Sequence, residues 1–224
     1  TRLALAQLFD KACHADKSLT KTCAESKENV YNFLDQLRES YMPVAEQEVA
    51  ELQEFAKTKG FYATLQPWDW SFYSKQLKEE KYAISDDLIR PYFQKEKVIE
   101  GVFGFAKRMY GITFKENKNI QVYHPEVIPY EVFDQKGKFL AVFYLDFHPR
   151  DGKRGGAWMN NFQEQYGKHR PHVVNVMNFT RPVNIEAEGE NFTGSSKPAL
   201  FSYDEVETFL HEFGHALHGM LTQC

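Results

Sequence analysis

Thr208-Phe209-Leu210-His211-Glu212-Phe213-Gly214-His215-Ala216-Leu217-His218-Gly219 carries the pattern His-Glu-x-x-His. Residues four apart on an α-helix lie on one face, about one turn along. His211 and His215 can therefore aim their imidazoles at one point and hold one metal ion. Glu212 is turned about a quarter circle from His211. It can reach a water beside the metal without binding the metal itself. Two histidine ligands and a glutamate base on one helix is the pattern of a zinc peptidase.

The flanks agree with a helix. Ser202 and Glu205 read as a capping box, with Ser202 as N-cap and Glu205 reaching back. Val206, Phe209, Leu210, Phe213, Leu217 and Met220 form an apolar side. Gly214 sits mid-helix, where glycine costs about 1 kcal/mol relative to alanine, and it would let another segment approach beside the metal. His218 lies nearly on the histidine stripe, but two turns from His211. Ligand nitrogens sit only about 2.0–2.1 Å from zinc, so the reading favours a role for His218 facing substrate or beside the metal over direct ligation. The extended metzincin motif needs glycine at 218 and histidine at 221. This chain has His218 and Leu221, which excludes that class. A catalytic zinc wants three protein ligands and a water. No third ligand is evident before Cys224, so the sequence reads as a fragment of a longer enzyme.

Bulk properties narrow the alternatives. The chain has 224 residues, 42% of them hydrophobic and 15% aromatic, with a net charge of -4. Such a length suits one large domain or two small ones. The absence of a basic excess argues against nucleic acid as a partner. No apolar run has the length of a membrane span, and no secretory leader is visible at Thr1, though a chain starting mid-protein would show none. Cys13, Cys23 and Cys224 have no metal-site spacing, and an odd count suggests no disulfide framework. They read as reduced thiols in a cytoplasmic protein.

Working back from the motif, three regions are expected: helical over 1–118, a small β-sheet with loops over 119–198, and the metal-binding helix over 199–224. Thr1 to Ser26 reads as a helix and a turn. Apolar residues from Val30 to Phe55 at steps of three and four predict a long helix over 27–59, kinked at Pro43. Trp68 and Trp70 read as packing anchors ahead of a helix over 71–82. A further helix spans 95–110, stopped at Gly111-Ile112 in a Schellman-type cap. After Lys118 the period changes. Ile120 to His124, Tyr130 to Phe133, Phe139 to Phe147 and His172 to Phe179 read as strands, with Phe139 to Phe147 central. Asn184 to Pro198 reads as a loop. Asp146 to Met159 reads as a loop whose Gly155 and Gly156 can lie close to a bound peptide. An edge strand beside the metal helix can pair with an extended peptide.

Three segments also carry a resemblance. Phe147 to Met159, Lys197 to Thr208 and Leu210 to Gly219 are similar to the thimet oligopeptidase family, most closely its bacterial peptidyl-dipeptidase and oligopeptidase A branch. Tyr92 to Gly104 is similar as well, and the likeness covers roughly residues 27–224. It implies a mostly helical, zincin-like, clam-shaped oligopeptidase with a small inserted sheet and a deep channel admitting short peptides. It implies one Zn2+ on His211 and His215, Glu212 as general base, and a third ligand, a glutamate, on the next helix beyond Cys224. The family's substrate-binding tyrosine and histidine segment would also lie beyond. The 224 residues would then be an internal part, inactive alone and prone to self-association through exposed core. The rival reading is a non-catalytic helical module that binds peptides or a partner with an incomplete metal site; a further rival is an unrelated thermolysin-type endopeptidase acting on folded proteins.

Overall fold

The computed structural model describes residues 1–184 and 196–223. They fall into two compact units, Thr1–Ala83 and Ile84–Cys224. The first is helical: α1 (Arg2–Gln7), α2 (His14–Leu19), α3 (Lys27–Thr58) and α4 (Trp70–Tyr82). Two short helices thus stand where one helix and a turn were expected. The Ser26 hydroxyl accepts from the Asn29 amide and starts α3. The helix runs on through Pro43, because one lost donor is outweighed by the helical residues on either side. Only Leu52, Phe55 and Ala56 of its apolar stripe are buried, while Phe33, Leu34, Tyr41 and Val44 are exposed. Trp68 and Trp70 are not packing anchors here: they are 78% and 38% exposed.

The second unit opens with α5 (Asp86–Ile89), a 3-10 turn (Arg90–Tyr92) and α6 (Lys95–Tyr110). Gly111 ends α6 at φ +69°, and its N–H donates to the Lys107 carbonyl at 2.9 Å. That single bond is the simple left-handed cap rather than the paired Schellman form. Ile112 supplies the buried contact.

Five strands follow: β1 (Thr113–Glu116), β2 (Ile128–Phe133), β3 (Phe139–Asp146), β4 (Trp158–Gln163) and β5 (His172–Val176). They form one mixed sheet in the order β1-β2-β3-β5-β4. β3 is central, as its apolar run predicts, and pairs in parallel with β5. β6 (Val183–Asn184) and β7 (Ser196–Lys197) form a separate antiparallel pair. The ends of the expected 184–198 loop are therefore paired, and residues 185–195 lie outside the described residues. α7 (Tyr203–Leu221) completes the chain's elements.

The sheet departs from expectation at three places. β1 begins before the change of period at Lys118. Ile120 to His124 is not a strand; it is a turn whose Ile120 and Val122 pack on Val142, Tyr144 and Val174. β4 takes the end of what read as a loop, and its half-exposed, asparagine-rich surface hides it from an apolar pattern.

Alternation along the strands separates two faces. Ala141, Phe143, Leu145 and Val173 join α6 and α7 in the larger core, with Phe103, Phe114, Phe143 and Phe213 in mutual ring contact. No described helix is long and apolar enough to cross a membrane.

The two helix glycines behave differently. A Cβ on Gly214 would meet nothing within 4 Å, so among the described residues no segment approaches there. A Cβ on Gly219 would lie 3.2 Å from Asn161 Oδ1 and 3.3 Å from Val173 Cγ2. The close approach belongs to Gly219, against β4 and β5. Gly214→Ala should stabilise the chain by up to about 1 kcal/mol. Gly219→Ala should gain less or lose, and thermal melts of the two variants compared with the parent check this.

Candidate metal centre

α7 is secured at both ends. Ser202 Oγ accepts from the Glu205 amide at 3.1 Å, and Glu205 Oε2 accepts from the Ser202 amide at 2.7 Å, so the expected capping box is formed. The other Glu205 oxygen accepts from the Thr180 amide and hydroxyl at 2.6 and 2.9 Å. At the far end, Arg170 donates to the Met220 and Thr222 carbonyls at 3.0 and 3.3 Å, which satisfies acceptors the helix leaves free. Between these ends Phe209, Phe213, Ala216 and Met220 are buried against the sheet.

That burial sets the roll of the helix and leaves His211 and His215 exposed. Their Nε2 atoms lie 3.2 Å apart, with ring planes at 79°. Two nitrogens each about 2.0–2.1 Å from a tetrahedral metal sit about 3.3 Å apart. The pair therefore fits a shared zinc ion. Without a metal, one ring can donate to the other across the same distance. Glu212 sits in the turn between them and is buried at 8% exposure. It makes no hydrogen bond to another described residue. Among the described residues, no cluster of three His, Cys, Asp or Glu stands ready to hold a metal.

The remaining sequence candidates are not gathered onto the histidine pair. His218 is exposed and lines a groove with Tyr110, Gly214, Leu217, Leu221 and Thr222. A larger apolar groove between α6 and α7 is lined by Phe93, Val102, Met109, Leu210, Phe213 and Leu217, and it too lacks the histidine pair. Gly155 and Gly156 are exposed in the turn that enters β4. Their link to the histidines runs through β4, which packs on α7 at Gly219.

What holds that turn was missed in the sequence. Asp146, fully buried at the end of β3, accepts from both Arg150 nitrogens at 2.7 and 2.8 Å, from Lys153 at 2.8 Å and from the Tyr123 hydroxyl at 2.7 Å. Lys153 also donates to the His148 carbonyl at 2.8 Å. Asn178 donates to the carbonyls of Arg154 and Gly156 at 2.9 and 2.7 Å. The available signal was an acid closing an apolar strand, which is costly to bury unless cations follow. Burial by itself raises the Asp146 carboxyl, but bonds from Arg150, Lys153 and Tyr123 outweigh it and hold the group at about 2. Burial pushes the Lys153 ammonium below its ordinary value, more than Asp146 restores. β4, beyond this turn, is an edge strand that pairs only with β5 among the described strands.

A helix presenting two convergent histidines and an adjacent glutamate, laid on a mixed sheet beside an edge strand, is a layout for metal-assisted hydrolysis. The model of Peptidase family M3 matches residues 1–224, and the chain belongs to that family. It is 43% identical over 224 residues to Oligopeptidase A of Escherichia coli (strain K12), covering 98% of this chain and 31% of that relative. Identity to Dipeptidyl carboxypeptidase of the same organism is 40% over 203 residues, covering 89% of this chain and 28% of that protein. Organellar oligopeptidase A, chloroplastic/mitochondrial, of Arabidopsis thaliana is 35% identical over 226 residues, covering 99% and 28%. The chain spans about a third of the length of these relatives, 28–31%. The likeness reaches residue 1, further than the 27–224 over which the motifs carry it.

Removing the charge at Asp146 strands two cations, one of them, Lys153, with a side chain only 4% exposed. Asp146→Asn should cost about 3–5 kcal/mol at neutral pH. A depressed carboxyl contributes stability that is present above its unfolded value near 3.8 and lost as pH falls through about 2. Urea unfolding across that range should show the parent losing stability more steeply than the variant.

Proposed function

We propose that this chain is the metal-helix portion of a zinc-dependent metallopeptidase that hydrolyses short peptides, as an oligopeptidase or peptidyl-dipeptidase. The observation that carries the reading is the 3.2 Å convergence of His211 and His215 with Glu212 in the intervening turn. Membership of a peptidase family, and relatives named for acting on oligopeptides and for dipeptidyl cleavage, support the substrate class.

His211 and His215 would hold one zinc ion, with a third ligand from outside these 224 residues. When bound, zinc polarises the scissile carbonyl and acidifies a neighbouring water. Glu212 accepts the proton of the attacking water and delivers it to the leaving amine nitrogen. Its buried side and the exposed histidine side place the proton carrier at the margin of the apolar core, where bulk water competes less. The edge of β4 that no described strand pairs offers backbone partners to an extended peptide. Gly155 and Gly156 let that peptide come close, and His218 faces substrate. The setting we propose is cytoplasmic. In isolation the 224 residues would be inactive and would self-associate through exposed side chains such as Phe33, Tyr41 and Val44.

Glu212→Gln in the complete enzyme should retain zinc one-to-one and lose about 10²–10⁴-fold in peptide hydrolysis, the usual worth of a general base. His211→Ala should lose the metal. Metal analysis together with a short-peptide assay decides the matter: parental activity in Glu212→Gln would end the assignment.

A further inference from the structure

Asn178 lies just beyond β5, and its Nδ2 donates to the Arg154 carbonyl at 2.9 Å and to the Gly156 carbonyl at 2.7 Å. One side-chain amide thus holds both carbonyls that flank Gly155. Gly155 and Gly156 are exposed, and the N–H and C=O of Gly155 bond to no other described residue. Gly156 stands at φ +95°, in the left-handed region. Adjacent glycines lose more backbone freedom on ordering than any other pair. The Asp146 hub holds the first half of this turn, at Arg150 and Lys153; the half that carries the glycines is held by Asn178.

Asn178 is itself secured on both sides. The Met177 amide donates to the Asp146 carbonyl at 2.8 Å and the Phe179 amide to the Phe147 carbonyl at 2.7 Å, and both side chains are buried. Thr180 donates to Glu205 in the cap of α7. The clamp on the glycine turn is therefore tied to the sheet on one side and to the start of α7 on the other.

Contacts along α7 set the level of the turn. Val173 abuts Gly219 and Thr180 reaches Glu205, so β5 runs against α7; β4, antiparallel to β5, runs with it. A Cβ on Gly219 would lie 3.2 Å from Asn161 Oδ1, which ties that point of α7 to β4. His215 and His211 precede Gly219 by about 6 and 12 Å, at about 1.5 Å per helix residue. At about 3.3 Å per strand residue, those distances lead back along β4 to the level of Ala157 to Met159. Glu212, two turns before Gly219, lies on the same stripe of α7, the one that faces β4. The Gly155-Gly156 turn opens directly onto this stretch of β4, the edge strand.

We infer that Asn178 is a positioning residue for substrate. By holding the Arg154 and Gly156 carbonyls it keeps the turn in one conformation, with the N–H and C=O of Gly155 available to the main chain of an extended peptide beside Glu212. This rests on the peptidase reading above, with Glu212 as base and the peptide along β4, so Glu212→Gln is run alongside.

The test uses the complete zinc-loaded peptidase carrying this sequence and a short peptide substrate. Asn178→Ala removes both donors from a partly exposed side chain. If the ordered turn falls to about a tenth of its population, KM rises about tenfold. The value of kcat should stay within about twofold, the mark of binding lost equally from ground and transition states, and zinc should stay one-to-one. Asn178→Asp keeps the size but sets a carboxylate against two carbonyl oxygens, so its KM should rise further. Binding of the same peptide to the Glu212→Gln enzyme should weaken about tenfold when Asn178→Ala is added. Parental KM and peptide affinity in the Ala and Asp variants, with Glu212→Gln inactive, would overturn the role of Asn178 alone. So would a fall in kcat at parental KM. An active Glu212→Gln would overturn the base assignment beneath it. A lower Tm and a smaller active fraction, with parental KM in the enzyme that remains, or failure of both variants to fold, would mark Asn178 as structural and overturn the inference.

Discussion

Phe209, Phe213, Ala216 and Met220 must leave water together, and only the aromatic face of the sheet can receive them. This burial is directional, because a helix has one rotation that covers a stripe at three- and four-residue steps. Once it is satisfied, His211 and His215 have one place to be, on the exposed side, with Glu212 at the boundary. The histidines contribute little to stability and depend wholly on neighbours for their aim. The convergence of the two histidines is therefore a consequence of core packing, and the capping box and the Arg170 bonds hold the helix in axial register.

The same sheet also fixes the turn before β4, through polar chemistry. β3 ends in Asp146, and its carboxylate ties Arg150 and Lys153 of the turn before β4 to Tyr123. A glycine-rich connection would otherwise sample many conformations at a large entropic advantage. Concentrated ion pairing at one buried acid overcomes that freedom and delivers an ordered edge strand. One face of the sheet thus positions α7, and β4 forms one edge among the described strands.

Buried polar groups in this unit differ in their partners. Asp146 is saturated with donors, as expected of a structural hub. Asn175 is buried as deeply and has none among the described residues.

The long helices were legible in the sequence because their causes are local. Period, capping box and glycine stop each involve residues within one turn, which suffices for α3, α6, α7 and the pairing of His211 with His215. The apolar runs of β3 and β5 were legible because strands buried on both faces carry their own signal. β1 and β4 were not, nor was the turn at Ile120 to His124, since short or half-exposed strands acquire identity only from a partner distant in the chain. The exposure of Trp68 and much of α3, the close approach at Gly219 rather than Gly214, the Asp146 hub and the unpartnered Asn175 all depend on contacts across many residues. By itself the sequence determined that His211, Glu212 and His215 share one helix; only the tertiary structure decided which way that helix faces and what lies beneath it, because burial and polar pairing are properties of segments brought together in space.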